Sequence, residues 1–194
     1  MIKYPSGIPH QESKPRTNKK PHIRISTSNR GMAFEDEINE TLAYYAENDI
    51  CLMTKRPTPI NIVKVDYSKG AKIVDAYFET QSTTDYNGVY KSRYIDFEAK
   101  STHANASLPL HNITLHQIAH LKKVKMHGGI AFFLISFVKK DEVYLLDADY
   151  VIEYFDKNER KSIPYEIIKK KGTLVEKGYI PRLHIIEAII STYF

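Results

Sequence analysis

The residues best placed to do chemistry lie between Thr83 and Lys100, in the stretch TTDYNGVYKSRYIDFEAK. Its last part reads as a strand, and strand side chains alternate between two faces. Ile95, Phe97 and Ala99 therefore point one way, into a core, while Tyr94, Asp96, Glu98 and Lys100 point the other. Three charges on one face of an otherwise apolar strand are costly to hold together unless they perform a task. Asp85 joins or leaves this group according to where the chain turns. A turn at Asn87-Gly88, a strong short-range hairpin signal, pairs Asp85 with Tyr90. It leaves Asp85 eight residues from Glu98, roughly 26 Å along a strand at ~3.3 Å per residue. A turn at Lys91-Ser92 instead sets Asp85 opposite Glu98, with Cβ atoms ~5 Å apart. Two carboxylates that close repel, and a divalent cation between them removes the repulsion. Oxygen ligands favour Mg²⁺ or Mn²⁺. Lys100, two residues on, could polarise a water or neutralise charge on a pentavalent phosphate.

These residues need a scaffold, and the periodicity of the chain supplies one. Phe34, Ile38, Leu42 and Tyr45 recur at helical spacing, predicting a helix over 33–48. Ile50 to Thr54 reads as a short strand. Ile60 to Tyr67 and Ala71 to Phe78 alternate on either side of Ser68-Lys69-Gly70, predicting a hairpin inserted ahead of Asp85. Val89 to Lys100 is a further strand region. Thr114 can N-cap a helix that runs to Met126 and stops at Gly128-Gly129. Ile130 to Val138 is apolar but for Ser136, as a strand buried on both faces can be, and Val143 to Asp147 pairs with it. Short helices over 149–158 and 164–171, and an apolar terminal segment from His184 to Phe194, complete a mixed α/β order.

Composition narrows the class. With 194 residues, 42% hydrophobic and 26% charged, the chain is expected to fold as one soluble domain. No apolar run reaches the ~20 residues a membrane helix needs, and the first residues contain no apolar signal region, so a cytoplasmic protein without membrane contact is expected. The single cysteine, Cys51, excludes an internal disulfide and a cysteine zinc cluster. The net charge of +5 is unevenly placed. Residues 1–30 hold seven Lys and Arg against one acid, Glu12, leaving the remainder near neutral. Residues 1–29, rich in Pro, Ser, Lys and His, read as a disordered basic arm suited to a polyanion.

The spacing of Asp85, Glu98 and Lys100 resembles the pattern of the PD-(D/E)xK nucleases. Five separated strings sharpen the likeness: Asn29-Arg30-Gly31-Met32, Lys55-Arg56-Pro57-Thr58-Pro59, Thr83-Thr84-Asp85-Tyr86-Asn87-Gly88, Arg93-Tyr94-Ile95-Asp96-Phe97-Glu98-Ala99-Lys100 and Gly178-Tyr179-Ile180-Pro181-Arg182-Leu183. In this order they resemble the RecU family of Holliday junction resolvases, from about Asn29 to the C-terminus.

The resemblance implies a restriction-endonuclease-like α/β fold over residues 30–194: a mixed sheet flanked by helices, with a β-hairpin stalk inserted at about 60–78. It implies a homodimer that makes paired, symmetric nicks in four-way junction DNA with Mg²⁺ or Mn²⁺, during recombination and repair, with recombination proteins as candidate partners. Carried over by residue, Asp85 and Glu98 would bind the metal, Thr83 and Gln117 would complete its surroundings, and Lys100 would stabilise the transition state. Glu35, by itself an ordinary acid in a first helical turn, matches a first-helix Glu of related resolvases and joins the catalytic set. Arg30, Tyr77 and Phe78 are the expected DNA contacts, the two aromatics by stacking on exposed bases unless they pack at the stalk base. Two other functions fit the same residues: a non-catalytic DNA-binding module of this fold, and a restriction-type enzyme that cuts duplex DNA.

Overall fold

The computed structural model of the chain describes residues 27–79, 83–157 and 160–194, with side chains from Met32 onward. The expected arm therefore lies outside the described residues, except that Thr27, Ser28 and Asn29, assigned to it, already belong to the first helix. That helix, α1, spans Thr27–Glu47, and Phe34, Ile38, Leu42 and Tyr45 are its buried stripe.

Ten strands follow with four more helices: β1 Leu52–Lys55, β2 Ile60–Asp66, β3 Lys72–Phe78, β4 Tyr86–Tyr90, β5 Arg93–Thr102, β6 Ser107–Pro109, α2 Leu115–Met126, β7 Ile130–Phe137, β8 Glu142–Asp147, α3 Ala148–Lys157, β9 Ser162–Pro164, α4 Tyr165–Lys171, β10 Thr173–Leu174 and α5 Ile185–Tyr193. Six strands form one sheet in the order β1-β4-β5-β7-β8-β10. Only β5 and β7 run parallel, and the chain joins them through α2, the crossover that parallel neighbours require. The architecture is the expected one, a mixed sheet flanked by helices.

The period of two sorts the core into layers. Ile130, Phe132 and Leu134 of β7, with Ile95, Phe97 and Ala99 of β5, pack against α1 and α5. Ala131, Phe133, Ile135 and Phe137 face the other way, against α2, α3 and α4. Because β7 is covered on both sides, all eight of its residues are buried, which is why it reads as apolar at every position but Ser136. Tyr86, Phe97 and Phe132 stand opposite one another across β4, β5 and β7 and stack with centroids 4.8 and 4.9 Å apart. Such pairs contribute ~0.5–1.5 kcal/mol each beyond area burial, so this stack fixes the register of the strand that carries the charged face.

The inserted hairpin forms its own two-stranded sheet, β2 with β3. Almost every residue in it is exposed on both faces. The amide of Glu79 closes its base on the carbonyl of Pro59 at 3.0 Å. Asp66 organises the tip, accepting from the Ser68 amide and hydroxyl, and Gly70 supplies the left-handed residue at φ +102°. Midway, an irregularity at Val63 is offset by one at Val74, so the same register holds on both sides of it. Among the described residues no helix is long and apolar enough to cross a membrane.

Candidate active site

The turn that decides the fate of Asp85 falls at Lys91-Ser92. Both residues are left-handed, φ 45° and 60°, as a two-residue hairpin turn of right-handed twist demands. The region 89–100, expected as one strand segment, is thereby divided into β4 and β5. Asn87-Gly88 is not a turn at all. Gly88 pairs with Met53 in the middle of β4, and a Cβ there would sit 2.1 Å from the Leu52 carbonyl oxygen and 2.4 Å from the Met53 Cα. The glycine admits the edge strand β1, which forces the chain to run straight and turn later, despite a cost of ~1–3 kcal/mol for each left-handed non-glycine residue.

With Tyr86 opposite Phe97, Asp85 falls beside Glu98, and its amide donates to Glu98 Oε2 at 3.2 Å. Glu98 is 1% exposed. Its other oxygen accepts from Lys100 Nζ at 2.6 Å and from Gln117 Nε2 at 2.5 Å. Burial pushes the Glu98 carboxyl up to about 8; Lys100 draws it down, and the charge of Asp85 adds to the rise. Thr83 is half-exposed, two residues ahead of Asp85.

Gln117 has both ends engaged. Its backbone amide and side-chain oxygen complete a capping box with Thr114, the oxygen accepting from the Thr114 amide at 3.0 Å. Expected as part of the metal's surroundings, it donates to Glu98 from its amide nitrogen while the helix cap holds its side-chain oxygen. Glu35 accepts a hydrogen bond from Lys55, which stands opposite Tyr86 in the β1–β4 ladder. Tyr77 and Phe78 do not pack as core at the hairpin base: they are 57% and 77% exposed. As strand neighbours they point to opposite faces. Tyr77 accepts from Asn61 at 2.9 Å. Arg30 lies in α1, and its side chain falls outside the described residues.

A second carboxylate on the charged face of β5 collects partners that no single short-range pattern joins. Asp96 is completely buried. Its Oδ2 accepts from Arg56 Nη2 at 2.5 Å and from the Tyr94 hydroxyl at 2.8 Å, and lies 2.8 Å from His120 Nε2. Its Oδ1 accepts from the Thr84 hydroxyl. Two signals are available: strand alternation sets Tyr94 on the face of Asp96, and His120 lies three residues beyond Gln117 on the same face of α2. Among the described residues no group of three or more His, Cys, Asp or Glu side chains converges as a metal cluster. The acidic pair and its lysine stand apart as a two-carboxylate site.

Fold and site together define an α/β protein in which a carboxylate and a lysine on one strand of a mixed sheet meet a second carboxylate just ahead of the neighbouring strand. Comparison with known proteins makes this particular. The family model of Recombination protein U matches residues 29–191. The Holliday junction resolvases RecU of Bacillus thuringiensis (strain Al Hakam) and Bacillus cereus (strain AH820) are each 48% identical to it, over 100% of this chain and 98% of theirs. The chain belongs to the RecU family. Among solved structures, the Holliday junction resolvase Hjc of Archaeoglobus fulgidus overlays with a TM-score of 0.43 at 12% identity, covering 74% of this chain and 94% of that one.

Proposed function

We propose that this protein is a Holliday junction resolvase, a divalent-metal-dependent endonuclease that nicks opposing strands of a four-way DNA junction. The observation that carries the reading is the convergence of Asp85, Glu98 and Lys100 at one end of the β4–β5 ladder. Membership of a family whose relatives bear that name supports it.

The donor chemistry fits Mg²⁺, with Mn²⁺ as a substitute. A buried carboxyl raised to about 8 beside a second carboxylate is a pair that a small dication would relieve. Asp85 and Glu98 would hold it, with Thr83 as a neighbouring oxygen donor. When bound, such a cation contributes Lewis-acid charge at the phosphate and lowers the pKa of water. The chain's own residues do the rest. Gln117 and Lys100 fix the Glu98 carboxylate from two sides, so it is oriented before substrate arrives. Lys100, carried on the same strand face, supplies a positive charge beside the scissile phosphate as negative charge accumulates there.

A symmetric dimer would present one site to each of two opposing strands of a nearly two-fold symmetric junction. The hairpin β2–β3 would enter the junction centre, where Tyr77 and Phe78, one on each face, could stack on unpaired bases. The test is cleavage of a synthetic four-way junction with Mg²⁺ and with chelator. Paired nicks only in the presence of the metal are expected. Cleavage unaffected by chelator, or binding without cleavage at any metal concentration, would overturn the reading.

A further inference from the structure

We propose that Asp96 is a positioning residue for the cleavage site: it ties the three chain segments that carry the site into one unit and holds Asp85 at its distance from Glu98. This rests on the reading of Asp85 and Glu98 as the metal-binding pair.

A carboxylate offers about four lone-pair positions. Asp96, fully buried, meets four donors: Arg56, Tyr94 and His120 at Oδ2 and Thr84 at Oδ1. Each donor leads to a different part of the site. Thr84 immediately precedes Asp85. Arg56 holds Asp85 from the other side, its backbone amide donating to the Asp85 carbonyl at 2.7 Å while its guanidinium binds Asp96. His120 sits one turn beyond Gln117 on α2, the helix that orients Glu98. Asp96 itself lies two residues before Glu98, on the same face of β5.

Asp85 precedes the first rung of the β4–β5 ladder, Tyr86 with Phe97. Strand pairing alone therefore leaves its backbone at a ladder end, where fraying is easiest. The clamp made by Thr84 and Arg56 extends the order past that end. The arrangement also argues against Arg56 as a free phosphate contact. Its Nη2 donates to both Asp96 and Tyr94, and its charge is compensated by a buried carboxylate. What a buried, satisfied carboxylate supplies is a fixed geometry, and removing it would leave several donors without an acceptor.

Two variants of the full-length protein test this, Asp96→Asn and Thr84→Val. Asp96→Asn turns one acceptor oxygen into a donor facing other donors. Thr84→Val removes the single hydroxyl between Asp96 and the segment that carries Asp85, and keeps the site decisive if Asp96→Asn fails to fold. The first measurement needs neither metal nor DNA: hydrogen exchange of the backbone over residues 83–86 in metal-free protein. Both variants should speed it, while exchange across Ile130–Phe137 stays at the wild-type rate. The second is Mn²⁺ binding followed by calorimetry, which should weaken by about 10–100-fold, as loss of a residue orienting metal ligands does. Junction cleavage should fall with it and recover in part at high Mn²⁺. Wild-type exchange over 83–86 together with wild-type Mn²⁺ affinity in either folded variant would overturn the proposal. If the exchange result holds but the wild-type protein binds no Mn²⁺, the metal-site reading fails and the clamp survives.

Discussion

Two regions of this protein break the usual rule of burial in opposite senses. On β5 the sheet buries charge: Asp96 and Glu98 stand inside, each with its oxygens engaged by donors from other segments. On the β2–β3 hairpin the chain exposes apolar side chains, with Ile60, Ile62, Val63, Ile73 and Val74 open to solvent on both faces. The adjacent strand β7 sharpens the contrast. In parallel register with β5, it sets Ala131, Phe133 and Ile135 beside Asp96, Glu98 and Lys100. One strand uses the α2 side of the sheet for packing and the next uses it for chemistry. Stability does not require either exception: buried charges contribute little net stabilisation, and an isolated hairpin is marginal in water. On the proposed function, Glu98 would face a cation and phosphate and the hairpin would face unpaired DNA, while Asp96 serves the geometry between its neighbours.

Predictions can break or sharpen this contrast. The largest effect should come from the buried charges. Asp85→Asn or Glu98→Gln should slow single-turnover junction cleavage by at least about 100-fold, while junction affinity holds, because binding rests mainly on phosphate contacts elsewhere. A wild-type cleavage rate in Asp85→Asn would remove the site from the reaction. Next comes the core that holds the charged face in register. Phe132→Ala removes one end of the Tyr86–Phe97–Phe132 stack and should cost ~3–5 kcal/mol of stability, measurable by denaturant unfolding. A loss under 1 kcal/mol would show that the stack does not set the register.

The hairpin should behave the other way. Replacing Asp66–Asp75 by a tight turn should leave unfolding nearly unchanged yet lower the preference for four-way junctions over linear duplex, read by competition binding. A preference that survives, with oligomeric state intact, would exclude the hairpin from selectivity. The smallest effect belongs to single exposed positions: Val74→Thr should shift stability by no more than ~0.5 kcal/mol. A larger loss would mean that Val74 is covered in the assembled protein, by a partner subunit or by another part of the chain.

The amino-acid sequence by itself determined the elements whose signals are local. Thr114 caps its helix as its type and position predict, because the hydroxyl reaches an amide three residues away. The apolar run of β7, broken only by Ser136 within the strand, announces a strand covered on both faces, since little polar is needed where no water reaches. Alternation along Ile95 to Lys100 separates core face from charged face. Tertiary structure decided what depends on contacts distant in the chain. The turn after β4 was open between two sites, and the approach of β1 to Gly88 chose the later one, bringing Asp85 to Glu98. Of the partners of Asp96, strand alternation joins Tyr94 to it, but those from positions 56, 84 and 120 are brought in by the packing of distant segments against one face of β5. A helix or strand answers to neighbours a few residues away, whereas a buried carboxylate accepts whichever donors the fold delivers, so its surroundings become readable only once the chain has closed around it.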